Sequence, residues 1–219
     1  MTFSHLRPSH TPVLRVLLLF VGVVLLLPAT GCQKADKPAD EKPTLVSLDN
    51  LQTAYGVALK RARMYELFIP RAAKEKFNGV AALYRALERS EKIHAGVHAG
   101  LMKKYAIIPV EVTFDSVVVG STMQTLKMAV SSEELEATSM YPNLLRTANL
   151  ENFTEGIEQF TMINAVEDRH VELLKDAQNK MGKIGSKYFV CPGCGYVLTS
   201  DATEECPVCK KPKSQFEKI

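Results

Sequence analysis

The sequence lacks an excess of charge of one sign, and it contains no motif typical of a nicotinamide or flavin site. Its 27 lysines and arginines face 24 aspartates and glutamates, which gives a formal net charge of +3. Domains that bind nucleic acid usually concentrate positive charge, so this balance does not indicate nucleic acid as a partner. No internal repeat is strong enough to predict a repeat architecture.

The sequence also lacks an apolar run long enough for a typical spanning helix. Its longest run, Val16 to Leu27, is too short and follows Arg7 and Arg15. Ala29-Thr30-Gly31-Cys32 then resembles a bacterial lipoprotein box, which predicts a signal peptide at residues 1–31 and a lipid on Cys32. We therefore expect an exported, membrane-anchored lipoprotein, on the periplasmic side or at the outer membrane. An uncleaved membrane anchor is the alternative, and both place the rest of the chain outside the cytoplasm.

The remaining chain divides into a tether and two domains. Residues 32–46 mix charges with Pro38 and Pro43 and offer little to bury, which is typical of an extended spacer. Residues 47–181 are enough for one helical domain with its own core, and residues 186–219 form a small second domain.

Cysteine is scarce, and its placement is regular. Apart from Cys32, the chain has two C-x2-C pairs separated by eleven residues, Cys191 with Cys194 and Cys206 with Cys209. Two such pairs can hold zinc or a single iron in a tetrahedral thiolate site, and spacing alone does not choose between the metals. Disulfides are the alternative in an exported protein. The short gaps within each pair favour a metal site.

Two Glu-x-x-His sequences interrupt apolar stripes with potential metal ligands. Glu91 and His94 lie on one predicted helix, and Glu167 and His170 lie on another. Residues three apart share a helix face, so each pair turns a carboxylate and an imidazole toward the core. A solvated helix face is the alternative, but burying unpaired carboxylates costs several kcal/mol, which favours metal binding.

A third predicted helix carries Glu133 and Glu136, again three residues apart on an apolar stripe. The periodicity and the breakers predict a first helix over about 47–76, a turn at Asn78-Gly79 and a second helix from that turn to about residue 105. A third helix, which Ser121 or Thr122 can cap, contains Pro142 or bends near it, and a fourth runs over about 153–181. The β-branched segment 106–120 then forms one long crossover. Di-iron four-helix bundles use a Glu-x-x-His pair from each of two helices and one Glu from each of the others. Three of these four contributions are present.

These residues resemble the rubrerythrin family. The similar stretches are NLQTAYGVALKRARMY from Asn50, SEKIH from Ser90, EELEATSMYP from Glu133, VEDRH from Val166, CPGCGYV from Cys191 and CPVCKKPKSQFEK from Cys206. The resemblance implies an all-α ferritin-like four-helix bundle with one long crossover, followed by a small rubredoxin-like domain. It favours iron over zinc at the four cysteines.

The resemblance also implies the site residues. Two bundle irons would be bound by Glu91, His94, Glu133, Glu136, Glu167 and His170, and Tyr65 and Tyr141 would hydrogen bond to ligand carboxylates. For each tyrosine, a core role with the hydroxyl at a backbone partner is the alternative. His98, one turn beyond His94, is either recruited as a ligand or is a hydrogen-bonded core histidine.

One position departs from the family pattern. The first-helix glutamate ligand should stand at position 58, seven residues before Tyr65, and this chain has Ala58. Glu66 cannot replace it, because eight residues separate the two positions by about 12 Å along a helix. One metal would therefore lack a terminal carboxylate, unless Glu136, a water or an exogenous anion fills the gap.

The function implied by the resemblance is that of a peroxidase that reduces hydrogen peroxide at a non-haem di-iron site. The rubredoxin-like iron would relay electrons, within or between subunits of a homodimer, from an extracytoplasmic donor. Ala58 supports a different expectation, a metal-binding lipoprotein with little peroxidase turnover. A third is an electron carrier in which only the rubredoxin-like iron is active.

Overall fold

A computed structural model describes residues 45–114, 116–199 and 203–219. The helices are α1 (Val46–Lys74), α2 (Asn78–Lys104), α3 (Thr122–Leu135), α4 (Tyr141–Leu150) and α5 (Thr154–Asn179). A π-helical turn, Glu136–Met140, joins α3 to α4 without a break. The strands are β1 (Phe189–Val190), β2 (Val197–Leu198) and β3 (Glu217–Lys218). The ferritin-like bundle and the small cysteine-containing domain that the sequence predicts are both present.

Helices α1 and α2 form a hairpin. Its turn lies earlier in the chain than the predicted turn at Asn78-Gly79. Pro70 lies inside α1 and does not end it. Residues 75–77 make the turn, and Asn78 and Gly79 already belong to α2. Gly79 is required for another reason, because a Cβ there would collide with the backbone carbonyl of Ile184. This glycine permits a close approach of two chain segments.

The π-helical turn changes which residues of the third helix face the core. In a regular helix Met140, four residues after Glu136, would lie on the same face as Glu133 and Glu136, but Met140 is only partly buried. Tyr141 is 1% exposed and takes that place. A π turn inserts one extra residue into a helix, so every later position rotates by one residue relative to a regular helix.

The long crossover leads from α2 to the start of α3. Its described residues, 107–114 and 116–120, form neither a helix nor a strand, and it ends at Ser121. The Ser121 hydroxyl accepts a hydrogen bond from the Gln124 amide, and the Gln124 side chain accepts one from the Ser121 amide. This capping box satisfies two amides that the first helical turn leaves without partners. Ser121 is therefore the N-cap of α3, which begins at Thr122.

Two apolar clusters fill the bundle, with a polar layer between them. The buried face of α5 passes through all three layers. Its Phe160 and Ile163 belong to one apolar cluster, and its Leu174 and Ala177 belong to the other. Glu167 and His170 lie between these pairs and are fully buried. The polar layer is therefore enclosed by apolar side chains on both sides, which lowers the local dielectric constant.

The C-terminal domain is a three-stranded antiparallel sheet in the order β2, β1, β3. Tyr188, Val190 and Val197 pack into an apolar cluster of the bundle. At the rim of this contact, Arg89 of α2 donates two hydrogen bonds to Glu217 of β3, at 2.6 and 2.5 Å. The small domain thus shares an apolar core with the bundle.

Candidate metal centres

Five potential metal ligands meet in the polar layer of the bundle. All are shielded completely from solvent, and they are Glu91, His94, Glu133, Glu167 and His170. Helix α2 supplies the first two, α3 the third and α5 the last two. The two Glu-x-x-His pairs that the sequence singles out therefore lie opposite each other.

The carboxylate oxygens divide between the two imidazoles. His170 Nδ1 lies 3.3 Å from Glu91 Oε1, 3.0 Å from Glu167 Oε2 and 3.4 Å from Glu133 Oε2. His94 Nδ1 lies 2.9 Å from Glu167 Oε1 and 3.5 Å from Glu91 Oε2. Glu91 and Glu167 thus turn one oxygen toward each histidine, which is the arrangement of carboxylates that bridge two metal ions. Glu133 faces the His170 side.

The same atoms lack hydrogen-bond partners of ordinary geometry. Among the described residues, the buried atoms without a partner include both oxygens of Glu91 and of Glu167, Glu133 Oε2, and the Nδ1 atoms of His94 and His170. Buried carboxylates without partners are strongly destabilising unless they are paired or bind metal. Oxygen and imidazole donors suit iron. These residues therefore fit a pair of bound metal ions.

The other ring nitrogens of both histidines are held in place. His170 Nε2 lies 2.9 Å from Ser90 Oγ, and that hydroxyl donates to the Gly195 carbonyl at 2.7 Å. Since the hydroxyl proton is used there, His170 Nε2 must donate. His94 Nε2 lies 3.1 Å from the Cys194 carbonyl, to which it can only donate. Both tautomers thus leave Nδ1 available for a metal.

In the metal-free protein, the neighbouring carboxylates favour the protonated forms of His94 and His170. Burial acts to lower the pKa of His94, but the Glu167 and Glu91 carboxylates outweigh it and raise that pKa to about 10. Burial opposes the same carboxylates at His170, and its pKa is also well above the usual range. Metal binding must displace these protons, because a protonated Nδ1 has no lone pair to donate.

Glu136, the remaining predicted ligand, lies beside this group and pairs with Arg61 of α1. Arg61 Nε donates to Glu136 Oε1 at 2.8 Å, and a second guanidinium nitrogen donates to the same oxygen. Its role as a metal ligand stays a prediction. No motif in the sequence marks Arg61, although it lies three residues after Ala58 and therefore close to it on one helix face.

The two predicted tyrosines have different partners. Tyr65 donates to Glu133 Oε1, as expected, and leaves the other oxygen of that carboxylate facing His170. Tyr141 lies 3.1 Å from His98 Nε2, so its described partner is a histidine and not a carboxylate. His98 is also bound by Gln159, at 2.7 Å, and forms part of a buried polar chain.

The four cysteines of the small domain form a second centre. The Sγ atoms of Cys191 and Cys209 are 3.4 Å apart, and those of Cys194 and Cys206 are 3.5 Å apart. A disulfide requires about 2.05 Å, so these are four free thiols that surround one position. All four ligand atoms lie within 4.8 Å of one another. The disulfide alternative is therefore not the arrangement found.

The two centres meet at Gly195. Its φ of +84° lies in the left-handed region that favours glycine. A Cβ at this position would lie 2.8 Å from His94 Nε2 and would also collide with the Ser90 hydroxyl. The second half of the CPGCG sequence can therefore approach α2 only because residue 195 has no side chain.

Comparison with known proteins agrees with this architecture. The sequence profile of the rubrerythrin family matches residues 49–178, more than half of the chain. The chain belongs to the rubrerythrin family. The profile described as the rubrerythrin rubredoxin-like domain matches residues 189–217, which include all four cysteines of the second centre.

Individual relatives align with most of the chain. Rubrerythrin-2 of Clostridium acetobutylicum is 31% identical over 184 residues, which cover 78% of this chain and 96% of that protein. Nigerythrin of Nitratidesulfovibrio vulgaris is 28% identical over 180 residues, covering 81% and 89%. The solved structure of fully reduced nigerythrin has a TM-score of 0.74 at 26% identity and covers 85% of this chain and 91% of that one. Bacterioferritin BfrA of Mycobacterium tuberculosis, at 18% identity and a TM-score of 0.58, shares the fold.

Iron is the cofactor that both centres fit. The family match, the carboxylate and histidine donors of the bundle and the four thiols of the small domain agree on this point. In the part of the chain that the structure describes, no helix is long and apolar enough to cross a membrane. The predicted signal peptide and the lipidation site Cys32 lie outside the described residues.

Proposed function

We propose that this protein reduces hydrogen peroxide to water at the bundle centre and receives electrons through the four-cysteine iron. The reaction consumes two electrons and two protons per peroxide and yields two water molecules. Bound iron supplies the electrons. The protein supplies a layer of buried carboxylates and a contact between the two centres.

The observation that carries this proposal is the double role of His94. Its Nδ1 faces the Glu167 and Glu91 carboxylates, and its Nε2 hydrogen bonds to the carbonyl of Cys194, itself one of the four thiol ligands. The side chain of His94 thus connects the bundle centre, where peroxide would be reduced, with the four-cysteine centre, which would supply the electrons. Such a connection is expected of a relay and has no evident use in a purely structural metal site.

A peroxidase assay with matched variants tests the proposal. The iron-loaded, reduced protein should consume hydrogen peroxide, and Glu167→Gln should abolish this activity because it removes a bridging carboxylate. Cys206→Ser should keep one rapid turnover of the bundle centre but lose multiple turnover with an external reductant. A Cys206→Ser protein that turns over as fast as the unaltered protein would exclude the relay.

A second candidate function is metal binding with little turnover. It is favoured by Ala58, which is buried and leaves α1 without a carboxylate ligand, and by the pairing of Glu136 with Arg61. Ala58→Glu should then raise both the occupancy of the weaker metal position and the peroxide turnover. Thr53→Glu, which adds the same charge to an exposed position of α1, is the control. Full occupancy and rapid turnover without any change would exclude this candidate.

We also propose that the protein is exported and anchored through a lipid on Cys32, and that it acts as a homodimer with an extracytoplasmic electron donor. The support is the lipoprotein-like sequence that ends at Cys32. Mass spectrometry of the mature N-terminus should find a diacylated Cys32, and an intact Met1 without lipid would contradict export. Sedimentation of the detergent-solubilised protein should give the mass of a dimer.

A further inference from the structure

Arg61 of α1 reaches carboxylates of the bundle centre. It is only 16% exposed, and two of its nitrogens donate to a single oxygen of Glu136. Its Nε also lies 3.9 Å from Glu133 Oε1. Because a guanidinium keeps its charge at all ordinary pH values, this positive charge is permanent.

The pairing with Arg61 leaves the two metal positions with different numbers of ligands. The position near His170 is faced by that histidine, Glu91, Glu133 and Glu167. The position near His94 is faced by that histidine and by the second oxygens of Glu91 and Glu167. Glu136 is the remaining buried carboxylate of the third helix, and its printed partner is Arg61 rather than either histidine.

The positive charge of Arg61 also weakens binding of a second metal ion. The centre has four buried carboxylates, Glu91, Glu133, Glu136 and Glu167, which carry at most four negative charges when all are ionised. Two divalent ions would balance them fully, and Arg61 adds a fifth positive charge inside a low-dielectric core. Arg61 therefore competes with the second divalent ion for the same carboxylates.

We propose that Arg61 is a positioning residue that holds Glu136 away from the metal and makes the centre asymmetric. The residues around His170 would hold a metal ion tightly, and those around His94, which include fewer carboxylates, would hold one weakly. The inference rests on the metal-binding role of this centre and is independent of its activity toward peroxide.

Titration of the metal-free, full-length protein with Mn²⁺, followed by EPR, tests the proposal. Mn²⁺ prefers oxygen and imidazole donors, whereas the four thiols favour softer metals, so the signal reports on the bundle. The unaltered protein should bind a first Mn²⁺ at least tenfold more tightly than a second. Arg61→Met should strengthen the second step by about 10- to 100-fold, the range typical of changes next to metal ligands.

Two further variants separate the proposal from simpler explanations. Arg63→Met removes the same charge from an exposed position on α1, where Arg63 pairs with Glu66, and should change neither step. Arg61→Met combined with Glu136→Leu removes one positive and one negative charge and supplies no ligand, so its second step should stay weak. If that double variant binds the second ion as tightly as Arg61→Met does, a freed Glu136 is not what strengthens the second step, and the proposed restraint of Glu136 is wrong.

Two equal binding steps in the unaltered protein would also overturn the proposal. Each variant is checked for folding by thermal unfolding before titration. Since no peroxide is used, a failure here leaves the proposed peroxidase function standing. An absence of peroxidase activity would in turn leave the metal affinities unaffected.

Discussion

Tyr65 and Ser90 hold ligands of the bundle centre in place without being ligands themselves. Tyr65 donates to one oxygen of Glu133, so the other oxygen is turned toward His170. The Ser90 hydroxyl accepts from His170 Nε2 and fixes the tautomer that frees Nδ1. Such outer contacts restrict the ligand to one orientation, which raises metal affinity.

Replacing Tyr65 by phenylalanine should weaken metal binding about 10- to 100-fold, because Glu133 loses the hydrogen bond that orients it. Tyr84→Phe is the matched control. Tyr84 is equally buried and its ring lies 5.6 Å from that of Tyr65, but its hydroxyl lies 3.0 Å from that of Thr125. Isothermal titration with Mn²⁺ measures both, and an equal loss in the two variants would contradict a specific role for Tyr65.

The sequence predicts which residues are metal ligands better than it predicts which residues contact those ligands. Glu91, His94, Glu167 and His170 are recognisable because charged residues on an apolar stripe require an explanation. Arg61 gives no such signal, because a charged residue beside a stripe usually points to solvent. Its pairing with Glu136 depends on the separation of α1 from the third helix, which only the packed bundle defines.

At the scale of secondary-structure elements, the π-helical turn between α3 and α4 has the largest effect on the centre. It directs Glu136 and Ala137 inward together and brings Tyr141 onto the buried face. A regular helical period does not predict this, because the extra residue of a π turn leaves no clear trace in a stripe of apolar residues. The helices themselves and the crossover are predictable, since their periodicity and breakers are strong.

The loop that carries Gly195 joins the small domain to α2, and this contact should be sensitive to substitution. Gly195→Ala introduces a Cβ at a positive φ and against Ser90 and His94, at a conformational cost of about 1–2 kcal/mol before any collision. We expect slower electron transfer from the four-cysteine iron to the bundle centre, measured by rapid mixing with peroxide.

The control is Gly185→Ala, where an added Cβ meets no atom within 4 Å. This variant should transfer electrons at the original rate. The visible spectrum of the four-cysteine iron must be retained in both proteins, which shows that the small domain is folded. Unchanged transfer in a folded Gly195→Ala protein would contradict the route through this contact.

At the scale of the whole molecule, metal content and folding are coupled, because the polar layer is buried between the two apolar clusters. In the metal-free protein, the raised pKa of His94, about 10, means that the folded state favours its protonated form. This stabilisation is fully present below the unfolded pKa of about 6.5 and is lost as the pH rises through about 10.

The melting temperature of the metal-free protein should therefore fall between pH 6.5 and 10, by about 2–4 °C for each kcal/mol lost. The metal-loaded protein should lack this decline, because metal and not a proton occupies Nδ1 of His94. Differential scanning calorimetry of both forms over this range makes the comparison. A parallel decline in the two forms would mean that other groups cause it.

The central claim is that one chain holds a peroxide-reducing di-iron centre and the iron that supplies it with electrons. The most direct measurement is iron analysis of protein purified without oxygen, followed by titration of the reduced protein with hydrogen peroxide under optical observation. We expect about three irons per chain when iron is in excess. We also expect the oxidation of two irons per peroxide, including the coloured four-cysteine centre. Zinc without colour at the cysteines, or bundle iron that stays reduced in the presence of peroxide, would contradict the central claim.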